Sequence, residues 1–184
     1  MTYYVQVFVK MKKIIDKILK IKLLILDVDG VLTDGNLYYS DTGTDIKTFH
    51  VQDGLGIRML QNSGIEIGVI TGHNSPLIQI RMQALKVPHI YQGQEHKQNA
   101  FEELLNKLNL APEQACYFGD DLPDLPLMRR AGFAITVPNV TMLAKKEADW
   151  ITTAPGGCGA VREVCELIMR VQETQHEQLI PYLN

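Results

Sequence analysis

The segment Asp27-Val28-Asp29-Gly30-Val31-Leu32-Thr33-Asp34 sets three carboxylates immediately after an aliphatic run, Leu23-Leu24-Ile25-Leu26. Three further stretches bring groups suited to the same chemistry. Thr71 closes "VIT", Lys97 opens a helical pattern, and Asp120, Asp121 and Asp124 fall within "YFGDDLPD". Carboxylates a few Å apart repel by about 4 kcal/mol per close pair at an effective dielectric near 20. Such a set requires a divalent cation. All-oxygen donors point to Mg²⁺, since Zn²⁺ favours Cys and His ligands. A calcium loop of the helix-loop-helix type does not fit: where it needs an oxygen ligand, a glycine and a glutamate, this chain has Val31, Leu32 and Tyr38.

The elements that must position these groups are legible as alternating patterns. Strand-like runs "KLLILDV", "IEIGVIT", "HIYQG", "ACYFG" and "FAITV" are separated by helical segments such as "PLIQIRMQALK" and "KQNAFEELLNKLNL". Runs that are apolar throughout imply strands covered on both faces, which predicts an α/β fold with a doubly wound, mostly parallel sheet between helices. In that architecture ligands gather at the carboxyl ends of the strands, where the acidic cluster falls. Between Asp34 and Asp53, "LYY" and "KTFHV" flank turn residues and predict a projecting β-hairpin that exposes Tyr38, Tyr39, Phe49 and Val51.

The 184 residues, 46% of them hydrophobic and 21% charged, suit one domain with a substantial core. A net charge of -3 supplies no broad basic surface for nucleic acid or an anionic membrane, so a small-molecule partner is expected. No apolar run reaches membrane-spanning length, and the N-terminus lacks a signal-peptide pattern. Cys116, Cys158 and Cys165 form no CxxC pair, which favours a reducing, cytoplasmic setting. Residues 1–20 read as an N-terminal extension and helix, with Met11 the expected start and Ile14, Ile15, Ile18 and Leu19 on one apolar face. Residues 21–175 read as the main α/β domain, closed by a helix after "PGGCG", and residues 176–184 as a C-terminal tail. His50, His89, His96 and His176 suggest no metal set.

The four motifs, at Asp27 and Asp29, Thr71, Lys97, and Asp120 with Asp121 or Asp124, resemble those of the haloacid dehalogenase-like phosphatase superfamily. The resemblance covers residues 22 to about 170. It implies that Asp27 is the nucleophile and a metal ligand, that Asp29 is the acid and base, and that the Asp29 backbone carbonyl and Asp120 complete the protein's Mg²⁺ ligands. Thr71 would bind a phosphoryl oxygen and Lys97 neutralise charge, while Asp121 and Asp124 orient Asp120 or its loop. An acidic residue two positions after the nucleophile favours phosphate transfer over carbon-halogen cleavage, because an alkoxide leaving group needs an acid.

No segment is long enough for a cap domain, so the chain resembles the capless members. Within them it is most similar to the group that dephosphorylates an eight-carbon sugar acid for lipopolysaccharide synthesis, homotetramers whose hairpins pack together. That resemblance implies a phosphorylated sugar-acid substrate, with Gly72 and His73 facing it. Many of that group have Arg where this chain has His73 and Cys158. Arg58, in the first turn of the helix after "DGLG", is a candidate carboxylate clamp beside the N–H groups of Gly54 to Gly56. A nine-carbon sialic or deaminated sialic acid 9-phosphate remains an alternative substrate. Two other classes stand as rivals: a receiver-like phosphoacceptor module, which lacks the D-x-D-G-x-x-T-D spacing, and a scaffold that has lost activity.

Overall fold

The computed structural model describes residues 3–41 and 45–183. Six parallel strands form one sheet: β1 (Leu23–Leu26), β4 (Glu66–Ile70), β5 (His89–Tyr91), β6 (Ala115–Phe118), β7 (Phe133–Thr136) and β8 (Trp150–Ile151), in the order β5-β4-β1-β6-β7-β8. From β1 the chain builds outward to one edge through β4 and β5, then returns to build the other edge from β6. The reversal at β1 opens a crevice at its carboxyl end between β4 and β6.

Side chains of successive strand residues face opposite sides, and both sides are covered. Leu24, Leu26, Ile67, Val69, Cys116 and Phe118 pack in one layer with α1 (Tyr3–Ile18), α2 (Val51–Asn62), α3 (Pro76–Ala84) and α7 (Ala160–Val171). Leu23, Ile25, Ile70, Ala115 and Tyr117 face α4 (Gln98–Leu108), α5 (Leu125–Met128) and α6 (Met142–Glu147). Double coverage explains why the strands read as unbroken apolar runs. The doubly wound sheet is as the sequence predicts.

Several boundaries differ. The hairpin pairs β2 (Tyr38–Tyr39) with β3 (Asp45–Ile46) antiparallel, so its second strand precedes the expected "KTFHV". Val51 opens α2, and Phe49 is half-buried beneath the Arg81 guanidinium, 5.8 Å from its ring centre, rather than exposed. Tyr38, Tyr39 and Val51 are exposed as expected, and Leu37 and Ile46 add to that apolar surface. Helix α1 begins at Tyr3, and the buried residues of its C-terminal half are Ile14 and Ile18, followed by Ile21; Ile15 and Leu19 lie exposed, so half the expected apolar face is unused. At the other end, α7 stops at Val171, Glu173 adopts φ 60°, and residues 175–183 form α8 (Gln175–Leu183) where a tail was expected. Among the described residues no helix is long and apolar enough to cross a membrane.

Candidate active site

Burial draws the acidic residues together. Strand β1 ends at Leu26, and Asp27 follows with its N–H donated to the Phe118 carbonyl at 3.0 Å, extending the β1–β6 ladder by one residue. Its side chain is thereby held inward and the residue is only 7% exposed. Gly30, at φ 85°, then turns the chain beneath Asp120; a side chain there would collide with the Asp120 carboxylate. Glycine alone supplies both the left-handed conformation and the clearance.

The Asp27 Oδ1 accepts the Val28 N–H at 2.7 Å, and its Oδ2 lies 2.9 Å from the Lys97 ammonium. Lys97, at the head of α4, reaches equally to Asp124 Oδ1 at 2.6 Å. Asp124 is buried and fully engaged. Its Oδ1 also accepts the Tyr117 hydroxyl at 2.6 Å, while its Oδ2 accepts the N–H groups of Asp120 and Asp121 at 2.9 and 3.1 Å. An ionised carboxylate has about four acceptor positions, and Asp124 has filled them.

One oxygen each of Asp27, Asp120 and Asp124 lies within 4.8 Å of the others, an arrangement able to hold a metal ion. Since Asp124 is saturated by its hydrogen bonds, Asp27 and Asp120 have the capacity left for a cation. Lys97 offers one positive charge against three carboxylates. Burial, with Asp124 adding repulsion, raises the Asp27 pKa to about 7 despite Lys97. Burial and the charges of Asp27, Asp124 and Asp121 likewise raise Asp120 to about 7. For Lys97 burial acts to lower the pKa, but Asp27 and Asp124 outweigh it and raise it. Two carboxyls that resist ionisation, in a donor set made of oxygen alone, fit a hard divalent cation such as Mg²⁺.

These groups floor an open cavity of about 360 Å³, lined by Asp27, Asp29, Thr71, Gly72, His73, Lys97, Asp120, Asp121 and Asp124, with Gly35, Gln94, Glu95 and Pro123. Thr71 follows β4 and is 1% exposed, its Oγ1 accepting the His73 N–H at 3.2 Å. Asp29 forms an ion pair with Lys47 at 2.5 Å, and its other carboxylate oxygen lies 3.3 Å from His73 Nδ1.

Not every expected residue gathers here. Gly54, Gly56 and Arg58 lie along α2, outside the cavity lining. Because α2 starts at Val51, the Gly54 N–H points to the His50 carbonyl at 3.4 Å within the helix rather than to a ligand. Gly54 and Gly56 instead let α2 approach Arg81 and Leu85 on one side and Arg162 and Cys165 on the other. Arg58 is exposed. Cys158 is exposed and lines a second cavity that shares Gly35 and Asp120 with the first. Two residues escaped the sequence: Tyr117, hidden in an apolar strand, and Lys47, which only the folded hairpin brings to Asp29.

Residues 71–160 match the family model of haloacid dehalogenase-like hydrolases, and the chain belongs to that family. Relatives within it include phosphatases of one sugar-acid phosphate. The chain is 46% identical over 159 residues to the 3-deoxy-D-manno-octulosonate 8-phosphate phosphatase KdsC of Escherichia coli (strain K12), covering 86% of this chain and 85% of that protein. Its identity to the Yersinia pestis counterpart is 44% over 160 residues, or 87% and 86% of the two chains. Among solved structures, the same phosphatase from Moraxella catarrhalis, in complex with magnesium, phosphate and KDO, superposes with a TM-score of 0.91 at 45% identity over 94% of this chain and 99% of that chain. The cobalt-bound enzyme from Haemophilus influenzae gives a TM-score of 0.82 at 38% identity over 85% and 92%.

Proposed function

We propose that this chain is a Mg²⁺-dependent phosphatase that hydrolyses 3-deoxy-D-manno-octulosonate 8-phosphate to the free sugar acid and phosphate, a step of lipopolysaccharide synthesis. The carrying observation is the convergence of Asp27, Thr71, Lys97 and Asp120 on one open cavity at the sheet's switch point, in a chain so similar to phosphatases of that substrate.

Asp27, Asp120 and the Asp29 carbonyl would hold Mg²⁺, which supplies charge neutralisation for the phosphoryl group and the carboxylates around it. Asp27 attacks phosphorus in line. An Asp27–phosphorus bond forms as the bond to the sugar oxygen breaks, and that oxygen takes a proton from Asp29. Water then loses a proton to Asp29 as its oxygen bonds phosphorus, the aspartyl bond breaks, and Asp27 is regenerated. Lys97 stays protonated beside Asp27, where it offsets the charge arriving with the phosphoryl group, and Thr71 supplies a hydroxyl to a phosphoryl oxygen. Asp124, through its amide contacts to Asp120 and Asp121, fixes the loop that carries Asp120. Gly72 and His73 border the sugar.

The protein works as a cytoplasmic homotetramer in this reading. Support comes from the free cysteines and from the hairpin's exposed Leu37, Tyr39 and Ile46, a patch that another subunit would cover. Arg58, exposed on α2 and outside the cavity of its own chain, would meet substrate through such an assembly.

A phosphate-release panel of eight- and nine-carbon sugar-acid phosphates, with Mg²⁺ and with chelator, tests the assignment. The eight-carbon ester should turn over fastest, and chelator should abolish the reaction. Preference for a nine-carbon ester would replace the substrate; activity that survives complete metal removal would overturn the mechanism.

A further inference from the structure

Asp29 is gripped from two sides. Lys47 Nζ lies 2.5 Å from its Oδ1 and His73 Nδ1 3.3 Å from its Oδ2. The grips come from different parts of the chain: Lys47 follows β3 of the hairpin, whereas His73 sits in the loop after β4, its N–H tied to Thr71 Oγ1. The Lys47 side chain is only 4% exposed, against 33% for Asp29. Ordering and desolvating a lysine to that degree is costly, and a carboxylate partner is what sustains it. Asp29 lines the cavity but Lys47 does not. Lys47 therefore has a route to the reaction through Asp29 rather than through the substrate.

We propose that Lys47 is the positioning residue of the general acid, pinning Asp29 Oδ1 so that Oδ2, on the His73 side, is presented to the leaving oxygen. The inference rests on the phosphatase reading above. Asp29 must deliver a proton in the first half-reaction and collect one from water in the second, at the same point in space each time. Lys47 neither gives nor takes a proton. It makes the hairpin part of the catalytic apparatus, because whatever steadies β2 and β3 also steadies the acid.

A leaving-group series separates this role from substrate binding or simple structural support. Phenyl phosphate and 4-nitrophenyl phosphate share a shape and carry no carboxylate, but phenolate needs protonation as it leaves far more than 4-nitrophenolate does. With Mg²⁺ present, Lys47→Met should lower kcat on phenyl phosphate by a factor about tenfold larger than on 4-nitrophenyl phosphate. Asp29→Asn should show the same skew, and Lys47→Arg, which keeps a cation, should return the ratio towards wild type. Equal losses on both esters, or no loss on either, would overturn the inference while leaving the phosphatase assignment intact. Should Lys47→Met fail to fold, Lys47→Gln and Lys47→Arg carry the same comparison. A wild-type protein inert to both esters and to sugar-acid phosphates would instead remove the underlying reading.

Discussion

Adding Mg²⁺ to the metal-free protein is expected to release protons, and the site's electrostatics set how many. Burial raises both Asp27 and Asp120 to about 7, with repulsion from Asp124 added at Asp27 and from Asp27, Asp124 and Asp121 at Asp120. At pH 7 each is then about half protonated, and a cation that needs both as carboxylates displaces about one proton per chain. The number rises towards two as pH falls below 7 and fades as pH rises above it. Calorimetric titration in buffers of different ionisation enthalpy measures the number directly, from the slope of observed heat against buffer enthalpy. Stability follows the same linkage. Both folded pKa values lie above the unfolded value of 3.8, so between about pH 4 and pH 7 the folded metal-free chain holds more protons than the unfolded chain. Its stability therefore falls as pH rises through that window, by up to about 1.4 kcal/mol per pH unit for each carboxyl, and saturating Mg²⁺ should remove the decline. Tight Mg²⁺ binding at pH 7 with no proton release would mean that both carboxyls are ionised without a cation, and the reasoning from burial would fail.

Three substitutions probe the same machinery. Lys97→Met leaves Asp27 and Asp124 without their shared cation in a buried setting and should cost about 3–5 kcal/mol by urea titration at neutral pH; a loss below about 1 kcal/mol would show that the ion pairs are solvated. Gly30→Ala must place a side chain at φ 85° against the Asp120 carboxylate, so Mg²⁺ affinity should drop at least about tenfold by calorimetry. Asp27→Asn should eliminate phosphate release from any ester and Asp29→Asn should reduce it by about a hundredfold on an alkyl phosphate; near-normal turnover by either would refute the roles given to them.

Much of the site could be read from the chain because its residues follow strands. Asp27, Thr71 and Asp120 sit at or just past the ends of β1, β4 and β6, three neighbours in one parallel sheet. An apolar run that ends in a polar residue marks such a position in sequence, and parallel register brings those ends side by side. Lys97 was legible for a related reason, standing where a helical pattern begins. Arg58 and the glycines of α2 read as ligand neighbours in the sequence because "DGLG" looks like a loop before a helix. In the fold those glycines are interior to α2, where they allow close packing against α3 and α7.

The sequence by itself determined the α/β architecture, the acidic strand tips and their need for a cation, since each depends on local pattern or on like charges brought to one edge. Tertiary structure alone decided the division of labour among the carboxylates. Asp120 and Asp124 are four residues apart and chemically identical, yet Tyr117, Lys97 and two backbone amides saturate Asp124 while Asp120 keeps acceptor capacity for a metal. It also decided that Lys47, 18 residues from Asp29 in the chain, becomes its partner. Hydrogen-bond saturation and ion pairing depend on distances of a few Å between elements remote in sequence, and no residue pattern along the chain encodes them.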